Sequence, residues 1–553
     1  MLAGIWQEVL KLDKVGVHDN FFDLGGDSIL SIQITARATQ AGFRVSAKQL
    51  FQNQTIAELA VVGDDGAEFE SEQGEIIGEV PLTPIQRWFF DLNLADAHQF
   101  NQAVKLQLQK PVDPILLERS VEKLLAHHDA LRMRFELTGN EWRQINSSMS
   151  YLNERATSAF KKSDFSNLSL HEQAGAIEET VSELHASFNL SEPPLLRIAL
   201  FQLGDCQPDQ LFFVIHHLVI DGVSWRIILE DFERIYELVA GSATSSLPAK
   251  TTSFKRWSER LVEFSESSKI REEANYWIEL SERPTAEIPV DNFDGLNTEG
   301  SSTNIWAKLT PEETRDLLQA VPKAYRTQIN DALLTALVQA FSSWTGDNAL
   351  LLNLEGHGRE EFSKESDVSR TVGWFTTMFP AHLRLNETVS TRDALKSIKE
   401  QLRRSLHQGL GYGLLRYLTP DQEIAVKLQA GNRPQISFNY LGQFDQMVSS
   451  SSLFSSAMND VADMKGSFGP GNLRPHLIDV VTMVMNNQLH ITFRYSENIH
   501  RPETIDHLLQ NYLTNLRSII NQCKEPEVGS VTASDFIAAK LSQKDLNKLM
   551  PTP

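Results

Sequence analysis

The stretch LFFVIHHLVIDGVSW, residues 211–225, decides how this chain folds and where its chemistry lies. It begins as an apolar run rich in β-branched and aromatic residues, which is typical of a buried strand and too short to cross a membrane. It ends in His216, His217 and Asp221, which favour a tight polar turn before the helical pattern WRIILEDFERIYELV. Because side chains alternate along a strand, we expect one histidine to face a cavity and the other the protein interior.

The sequence also predicts roles in the backbone of this turn for two further residues. Gly222 is expected to adopt a backbone angle that a residue with a Cβ resists, and Ser224 is placed to cap the following helix. A buried histidine pair taken alone serves structure more often than catalysis, so the pair does not by itself establish an enzyme.

Composition limits the classes of protein to which the chain can belong. Its 553 residues leave room for three or four domains. With 51 basic and 72 acidic residues the net charge is −21, which disfavours binding to nucleic acid or anionic membranes. Cys206 and Cys523 are the two cysteines and show no zinc-ligand spacing, so we expect no disulfide framework, no metal and a reducing compartment.

The N-terminus predicts a protein that is not exported. MLAGIWQEVLKLDK begins directly with helical periodicity and lacks the basic start and apolar core of a signal peptide. No apolar run approaches membrane length. We therefore expect a soluble, cytoplasmic protein.

The first 62 residues alternate helical patterns with loops, and the loop DNFFDLGGDSI, residues 19–29, leads into a helix. Gly25 and Gly26 allow a sharp turn, and Ser28 lies at the expected helix N-terminus, where local chemistry alone favours an N-cap. Residues 63–79 contain seven acidic residues and no basic one, which predicts an extended linker.

A second chemical feature is the turn EGHGRE, residues 355–360, after the apolar run NALLLNL. A glutamate at the end of a buried strand is costly unless it is paired or used, although a strand-terminating loop with solvated charges is the alternative. A second histidine pair, His127 and His128, is not followed by Asp-Gly, and we interpret it as structural.

Several strings of this sequence together resemble nonribosomal peptide synthetases. HHLVIDGVSW and EGHGRE resemble motifs of their epimerization domains, which are related to condensation domains and to chloramphenicol acetyltransferase. DNFFDLGGDSI resembles the thiolation motif of peptidyl carrier proteins. PLTPIQRWFF, RTVGWFTTMFP and ISFNYLGQF match further epimerization motifs, and HQGLGYGLLRY matches a glycine-rich loop of the family with His407 in place of its usual proline.

The resemblance implies a small all-α four-helix carrier bundle followed by a two-lobed α/β (α+β) domain with the chloramphenicol-acetyltransferase-like fold. The expected boundaries are a carrier at 1–62, an acidic linker at 63–79, epimerization-domain lobes at 80–250 and 251–523, and a connector to a following module at 524–553.

The resemblance also assigns roles to individual residues. It implies that Ser28 carries 4′-phosphopantetheine and that His217 and Glu355 are catalytic, without deciding which of them removes the L-side proton. Arg359 is expected to form an ion pair with Asp221 and, with His216 and Gly222, to support the site. The pocket candidates are Ser224, Trp374, Asn439 and Tyr440, and no metal is expected.

The implied activity is epimerization of an L-aminoacyl or peptidyl thioester to an L/D mixture. A thioester lacks the carboxylate charge that opposes α-proton removal, and inversion needs a proton taken from one face and returned to the other. The alternatives are a condensation-type acyltransferase that forms a peptide bond, and a silent domain that only docks a carrier.

The implied partners are an upstream adenylation domain, a downstream condensation domain and a phosphopantetheinyl transferase, with neither nucleic acid nor membrane. The chain itself is expected to be a monomer. Neither the amino acid nor the final peptide can be read from the sequence.

Overall fold

Four helices at the N-terminus form a small bundle with a hydrophobic core of its own. The helices are α1 (Leu2–Leu10), α2 (Ser28–Gln40), α3 (Ala47–Gln52) and α4 (Ile56–Val62). Trp6 and Phe21 are fully buried in this core, with ring centroids 5.3 Å apart. The all-α bundle predicted from the sequence is confirmed.

The computed structural model describes residues 1–63, 71–155, 159–205, 207–242, 246–360, 362, 366–386, 390–404, 409–444, 453–455, 466–523 and 532. Cys206, His407, residues 64–70 of the acidic linker and, except for Thr532, the expected connector lie outside the described residues.

The first half of the chain that follows the bundle, up to helix α9 (Gly222–Val239), forms two sheets. Strands β1 (Gly78–Val80), β4 (Glu141–Asn146) and β3 (Met133–Thr138) form a three-stranded antiparallel sheet. A four-stranded sheet has the order β2 (Asn101–Gln107), β7 (Gln210–His216), β6 (Leu196–Gln202) and β5 (Phe160–Asp164). The associated helices are α5 (Pro84–Asp91), α6 (Pro114–His127), α7 (Met149–Arg155), α8 (Leu170–Ala186) and α9 (Gly222–Val239).

The second half of the chain builds a six-stranded mixed sheet. Its order is β10 (Thr377–Arg384), β9 (Ala349–Gly356), β11 (Ile436–Gln443), β12 (Ile478–Met485), β13 (Gln488–Ser496) and β8 (Ser302–Lys308). Strand β11 runs parallel to both of its neighbours, β9 and β12, and the other pairs are antiparallel.

Ten helices of the described chain accompany the six-stranded sheet. They are α10 (Phe254–Ser265), α11 (Ser268–Glu272), α12 (Ala274–Ser281), α13 (Pro311–Arg315), α14 (Val321–Tyr325), α15 (Ile329–Thr345), α16 (Thr391–Arg403), α17 (Leu410–Tyr417), α18 (Gln422–Ala430) and α19 (Pro502–Gln522). Helix α15 is buried over most of its length and ends at Gly346, whose φ of 75° is the left-handed conformation that favours glycine.

One hydrophobic core joins the two halves, although each sheet is built from its own part of the chain. Phe100 at the start of the four-stranded sheet packs edge-to-face on Phe468 from the second half, with ring centroids 5.1 Å apart. The two-lobed mixed α/β fold predicted from the sequence is confirmed. Among the described residues, no helix has the length and apolar character that a membrane crossing requires.

Candidate active site

The histidine turn joins strand β7 to helix α9. His216 is the last residue of β7, and His217 begins a 3-10 turn that ends at Val219. Asp221 is the N-cap of α9, because its Oδ1 accepts a hydrogen bond of 2.7 Å from the backbone N–H of Ser224. The predicted strand, turn and helix are present, but the expectation that Ser224 caps the helix is wrong, since Asp221 performs that task.

His216 faces the protein interior. It is fully buried, its Nε2–H donates to the carbonyl of Ala97 at 3.0 Å, and its Nδ1 accepts from the backbone N–H of Leu218 at 3.2 Å. Burial lowers the pKa of His216 to about 3. A neutral imidazole with both nitrogens bonded to backbone groups supports the turn and takes no part in proton transfer.

His217 points to the other side and is partly exposed. Its Nδ1–H donates to the carbonyl of Ile220 at 2.8 Å, so Nε2 carries the lone pair and accepts from the side-chain amide of Gln102 at 2.9 Å. Burial lowers the pKa of His217. The imidazole is therefore neutral at neutral pH and has a basic nitrogen, as a general base requires.

Gln102, which no sequence pattern singled out, orients the imidazole of His217. The Oε1 of Gln102 accepts a hydrogen bond of 2.7 Å from the indole N–H of Trp225, so the amide N–H₂ must face His217. Gln102 lies on β2 opposite Ile215 of β7. Only this strand pairing, across more than a hundred residues, brings the amide to the imidazole, and no local pattern signals it.

A buried ion pair connects the histidine turn to the second half of the chain. The sequence predicted a contact between Asp221 and Arg359, and Nη2 of Arg359 lies 3.2 and 3.3 Å from the two carboxylate oxygens. The other guanidinium nitrogen, Nη1, donates to the carbonyls of Val368 and Thr371 at 2.6 and 2.8 Å. The two charged side chains are 1% and 5% exposed, so Arg359 ties the start of α9 to the segment before β10.

Two residues of the turn differ from expectation. Ser224 is fully buried, its hydroxyl donates to the carbonyl of Gly373 at 3.0 Å, and it accepts from Arg359 at 2.9 Å, so it does not line the pocket. Gly222 has no left-handed backbone angle, and an added Cβ would meet no atom within 4 Å. The expectation that Gly222 needs a special conformation is therefore wrong.

Glu355 lies where two strands separate. The parallel ladder of β9 and β11 pairs Asn353 with Ser437 and Leu354 with Phe438, and has no later pair. The next residues, Glu355 and Asn439, are joined by their side chains instead: Nδ2 of Asn439 donates to Oε2 of Glu355 at 2.6 Å. Asn439, a pocket candidate in the sequence, thus holds the predicted catalytic carboxyl.

The environment of Glu355 favours its protonated form. Burial raises the pKa of Glu355 from its ordinary 4.5 to about 7, and the negative charge of Asp479 adds to this rise. His217 and Glu355 thus have environments that push their proton affinities in opposite directions, which is the pattern of an acid and base pair.

A cavity of about 540 Å³ is lined by residues that neighbour each of the two groups. Its wall includes Trp374, whose ring lies 4.4 Å from that of His217, and Met378, which is paired with Glu355 across β9 and β10. Asn353 and His476 also line it, whereas His217 and Glu355 are not among its lining residues. Trp374, a pocket candidate in the sequence, lies between the histidine turn and the cavity.

The carrier bundle contacts the far end of β11. The hydroxyl of Tyr440 donates to Oδ2 of Asp27 at 3.4 Å, and the side-chain amide of Gln443 donates to the carbonyl of Gly25 at 2.8 Å. Tyr440, a pocket candidate in the sequence, is thus placed against the carrier. Ser28 follows Asp27 directly, so the predicted attachment site lies at this contact.

Ser28 suits the attachment of a phosphate-containing arm. It is the first residue of α2 and is partly exposed, so a phosphate on its hydroxyl would lie at the positive end of the helix. The adjacent carboxyl of Asp27 is buried, and burial raises its pKa to about 6. Protonation of this neighbour would reduce its repulsion of the phosphate.

The second histidine pair lies away from this site. Nε2 of His128 is 3.1 Å from Oδ2 of Asp231, whose other oxygen forms an ion pair with Arg370 at 2.5 Å. The possible ligand atoms of His127, His128 and Asp231 lie within 4.8 Å of one another. The Arg370 cation bound to this carboxylate opposes a metal ion there, and the contacts agree with the structural role predicted for the pair.

Comparison with protein families accounts for almost the whole chain. A model described as "Phosphopantetheine attachment site" matches residues 2–60, and one described as "Condensation domain" matches residues 76–542. The chain belongs to the condensation-domain family of nonribosomal peptide synthetases. It joins a carrier domain, whose covalent cofactor is 4′-phosphopantetheine, to a domain of the condensation superfamily.

Curated relatives of this synthetase segment are much longer than the segment itself. It is 46% identical to a linear gramicidin synthase protein of Brevibacillus parabrevis, with 99% of the segment and 7% of that protein covered. It is 38% identical to Surfactin synthase subunit 1 of Bacillus subtilis (strain 168), with 100% of the segment and 15% of that protein covered.

A solved structure resembles the synthetase segment closely beyond the carrier. The epimerization domain from the third module of tyrocidine synthetase B is 36% identical, has a TM-score of 0.75, and covers 82% of the segment and 99% of that domain. The condensation domain from Monacolin K polyketide synthase covers the same share of the segment and 99% of its own chain, at 17% identity and a TM-score of 0.62, which shows a common fold.

Proposed function

We propose that this segment interconverts the L and D configurations of an aminoacyl or peptidyl thioester held on the pantetheine arm, and that the arm is attached to Ser28. One observation carries the proposal: the hydrogen bond from Nδ1–H of His217 to Ile220 leaves the lone pair on Nε2, while burial raises the pKa of Glu355 to about 7. A pair in these two states has the proton acceptor and the proton donor that inversion requires.

His217 is the base for the L-side proton in this proposal. The arm presents the substrate as a thioester, in which the α-proton is more acidic than beside a carboxylate. Once the substrate displaces the amide of Gln102 from Nε2 of His217, this nitrogen accepts the proton from the α-carbon, and Glu355 donates its own proton to the opposite face of the same carbon. The result is one imidazolium and one carboxylate, and proton exchange with solvent restores both groups to their starting states.

The contact between carrier and β11 supports this arrangement. Tyr440 touches Asp27 of the carrier, and the preceding residue, Asn439, holds Glu355. The predicted attachment residue and the predicted acid are therefore linked through two consecutive residues of one strand. We expect an arm that starts at Ser28 to pass the end of the β9–β11 ladder on its way to Glu355.

The cavity is proposed to take the part of the substrate that lies beyond the stereocentre. Arg433 and Pro434, which precede β11, line it, whereas the carrier contacts Tyr440 and Gln443 near the other end of the strand. An eight-residue strand is about 26 Å long. The cavity thus extends along β11 from the start of the strand to the level of Glu355, where Met378 lines it, and the carrier contacts the other end of the strand, which suits a substrate that enters from the carrier side.

The proposed partners follow from the modular family. An adenylation domain would select and activate the amino acid, a phosphopantetheinyl transferase would modify Ser28, and a condensation domain would use the D-configured product. The similarity to an epimerization domain of tyrocidine synthetase B supports an epimerization step among these events.

The decisive experiment measures exchange of the α-hydrogen. The segment carrying an aminoacyl-pantetheine arm is placed in deuterium oxide without any second substrate, and the released amino acid is analysed for deuterium and configuration. We expect deuterium incorporation and both configurations. A condensation-type acyltransferase would leave the α-hydrogen in place and require an amine, and absence of exchange with several amino acids would refute the proposal.

A further inference from the structure

A row of polar side chains behind Glu355 crosses three strands of the six-stranded sheet. Ser437 of β11 is paired with Asn353 of β9 on one side and with Asp479 of β12 on the other. Glu355 lies two residues after Asn353, and because side chains alternate along a strand the two share a face of the sheet. The carboxyl of the proposed acid is therefore the outermost member of a continuous polar surface.

Hydrogen bonds connect this row into a network. Nδ2 of Asn353 donates to Nε2 of His476 at 2.8 Å, so Nδ1 of His476 carries the proton and donates to Oδ1 of Asp479 at 3.2 Å. The hydroxyl of Ser437 donates to the same Oδ1 at 2.6 Å. Arg474 donates to the other oxygen, Oδ2, at 2.7 Å.

These donors fix the charge of Asp479. An ionised carboxylate is strongly favoured when it accepts several hydrogen bonds and faces a guanidinium, and here the pKa of Asp479 is held far below its ordinary value, chiefly by Arg474 against the opposing effect of burial. Arg474 binds Oδ2, whereas Oδ1 faces Ser437 and thus the strand that separates Asp479 from Glu355. Oδ1 of Asp479 is therefore directed towards β11 and β9, so its negative charge can act electrostatically on Glu355.

We propose that Asp479 is a positioning residue that keeps Glu355 proton-bearing at neutral pH, through a permanent negative charge fixed behind it on the same face of the sheet. The inference rests on the proposed function, in which Glu355 donates a proton to the α-carbon. It adds a second layer to the site: His476 and Ser437 hold the charge, and the charge sets the state of the acid.

Other titratable and charged groups around Glu355 do not supply this charge. His217 is neutral in its hydrogen-bonding state, His476 is bound between Asn353 and Asp479, and burial raises the pKa of Tyr440 well above its ordinary 10.0. His357, which follows β9, accepts a hydrogen bond from the backbone N–H of Arg359. After burial, Asp479 is the cause that raises the pKa of Glu355.

The test compares Asp479→Asn with wild type in the α-hydrogen exchange assay from pH 5 to 9. Activity should fall on the alkaline side as Glu355 loses its proton. Two charges about 10 Å apart, the separation expected for these strand positions, interact by about one pH unit at an effective dielectric constant of 20. We therefore expect the alkaline limb of the pH–activity profile, where activity falls, to lie about one pH unit lower in Asp479→Asn than in wild type. The kcat at pH 5.5 and the KM should change little.

Two variants and one direct measurement separate this role from a merely structural one. Ser437→Ala removes a hydrogen bond from Asp479 but keeps its charge, and Asp479→Glu keeps the charge on a longer side chain. In both variants the alkaline limb of the pH–activity profile should therefore lie at the same pH as in wild type. The carboxyl carbon of Glu355, assigned by its loss in Glu355→Gln, should titrate about one unit lower in Asp479→Asn when followed by carbon NMR.

Each outcome decides something. If Asp479→Asn has the wild-type pH–activity profile and the wild-type titration of the Glu355 carboxyl, the role of Asp479 is overturned while epimerization is not. A loss of activity by the same factor at every pH also overturns this role. If Asp479→Asn does not fold, Asp479→Glu decides: a retained limb supports the inference and a downward shift of a unit overturns it. Absence of exchange in wild type would instead contradict the proposed function itself.

Discussion

Replacing Glu355 by glutamine should make the protein less active and, at alkaline pH, more stable. Glutamine keeps the size of the side chain but cannot donate a carboxyl proton. Loss of a positioned general acid lowers rates by about 10²- to 10⁴-fold, so interconversion of L and D substrate should fall by that factor. If His217 removes the L-side proton, the variant should still exchange the α-hydrogen of an L-substrate with retention of configuration.

The stability effect follows from the raised pKa of Glu355. Its folded-state pKa of about 7 lies above the ordinary 4.5, so the folded state binds the proton more tightly than the unfolded state. The stability contributed by the proton is fully present below pH 4.5 and is lost as the pH rises to 7. The shift corresponds to roughly 3 kcal/mol, an upper figure because the side chain is only partly buried.

Glutamine is neutral at every pH, so the variant does not lose stability by deprotonation at this position. The free energy of unfolding of Glu355→Gln, relative to wild type, should therefore rise by about 2 to 3 kcal/mol between pH 5 and pH 8. Urea unfolding of both proteins at the two pH values measures it, and Glu118→Gln, at an exposed position on α6, is the matched control. If the difference between variant and wild type is the same at pH 5 and pH 8, Glu355 is not proton-bearing in the folded protein and the assignment of acid and base is refuted.

Three further predictions test other parts of the site. Ser28→Ala should block addition of the phosphopantetheine arm, seen as an unchanged protein mass after incubation with a phosphopantetheinyl transferase, yet still turn over a loaded carrier supplied in trans; arm addition elsewhere would contradict the assignment. Arg359→Met leaves Asp221 buried without its partner and should cost about 3 to 5 kcal/mol of unfolding free energy, measured by urea unfolding, whereas a loss below about 1 kcal/mol would show that the pair does not join the two halves. Gln102→Leu removes the amide that orients His217 and should lower kcat roughly tenfold with KM unchanged, and an unchanged kcat would contradict its role.

Features built from neighbouring residues could be predicted from the sequence. The turn from β7 to α9 follows from an apolar run, a histidine pair and a helical pattern within fifteen residues, and the structure has each element in place. The four carrier helices depend in the same way on local periodicity and capping. Such patterns can be read because the residues that interact are close in the chain.

Features that depend on strand register could not be predicted. Gln102 reaches His217 only because β2 pairs with β7, and Asp479 lies behind Glu355 only because β12, β11 and β9 are neighbours. A glutamine or an aspartate in an ordinary strand pattern gives no sign of its partner. The resemblance to a family named the two catalytic candidates but neither Gln102, which binds His217, nor Asp479, which we propose acts on Glu355.

The errors in the turn have a physical reason of the same kind. Ser224 and Gly222 were judged from the chemistry of single residues at a helix start. Asp221, however, both caps α9 and binds Arg359, and the hydroxyl of Ser224 is taken by Arg359 and Gly373 from the second half of the chain. Long-range partners thus took over the tasks that local chemistry had assigned to these two residues.

Strand β11 gives the site its geometry, because it is the element on which carrier, acid and charge converge. Its ladder with β9 ends at Phe438, so Asn439 is free to bind Glu355 by its side chain, while Ser437 on the same face remains paired and binds Asp479. Tyr440 then contacts the carrier. Two consecutive residues of one strand, Asn439 and Tyr440, thus bind Glu355 and the carrier.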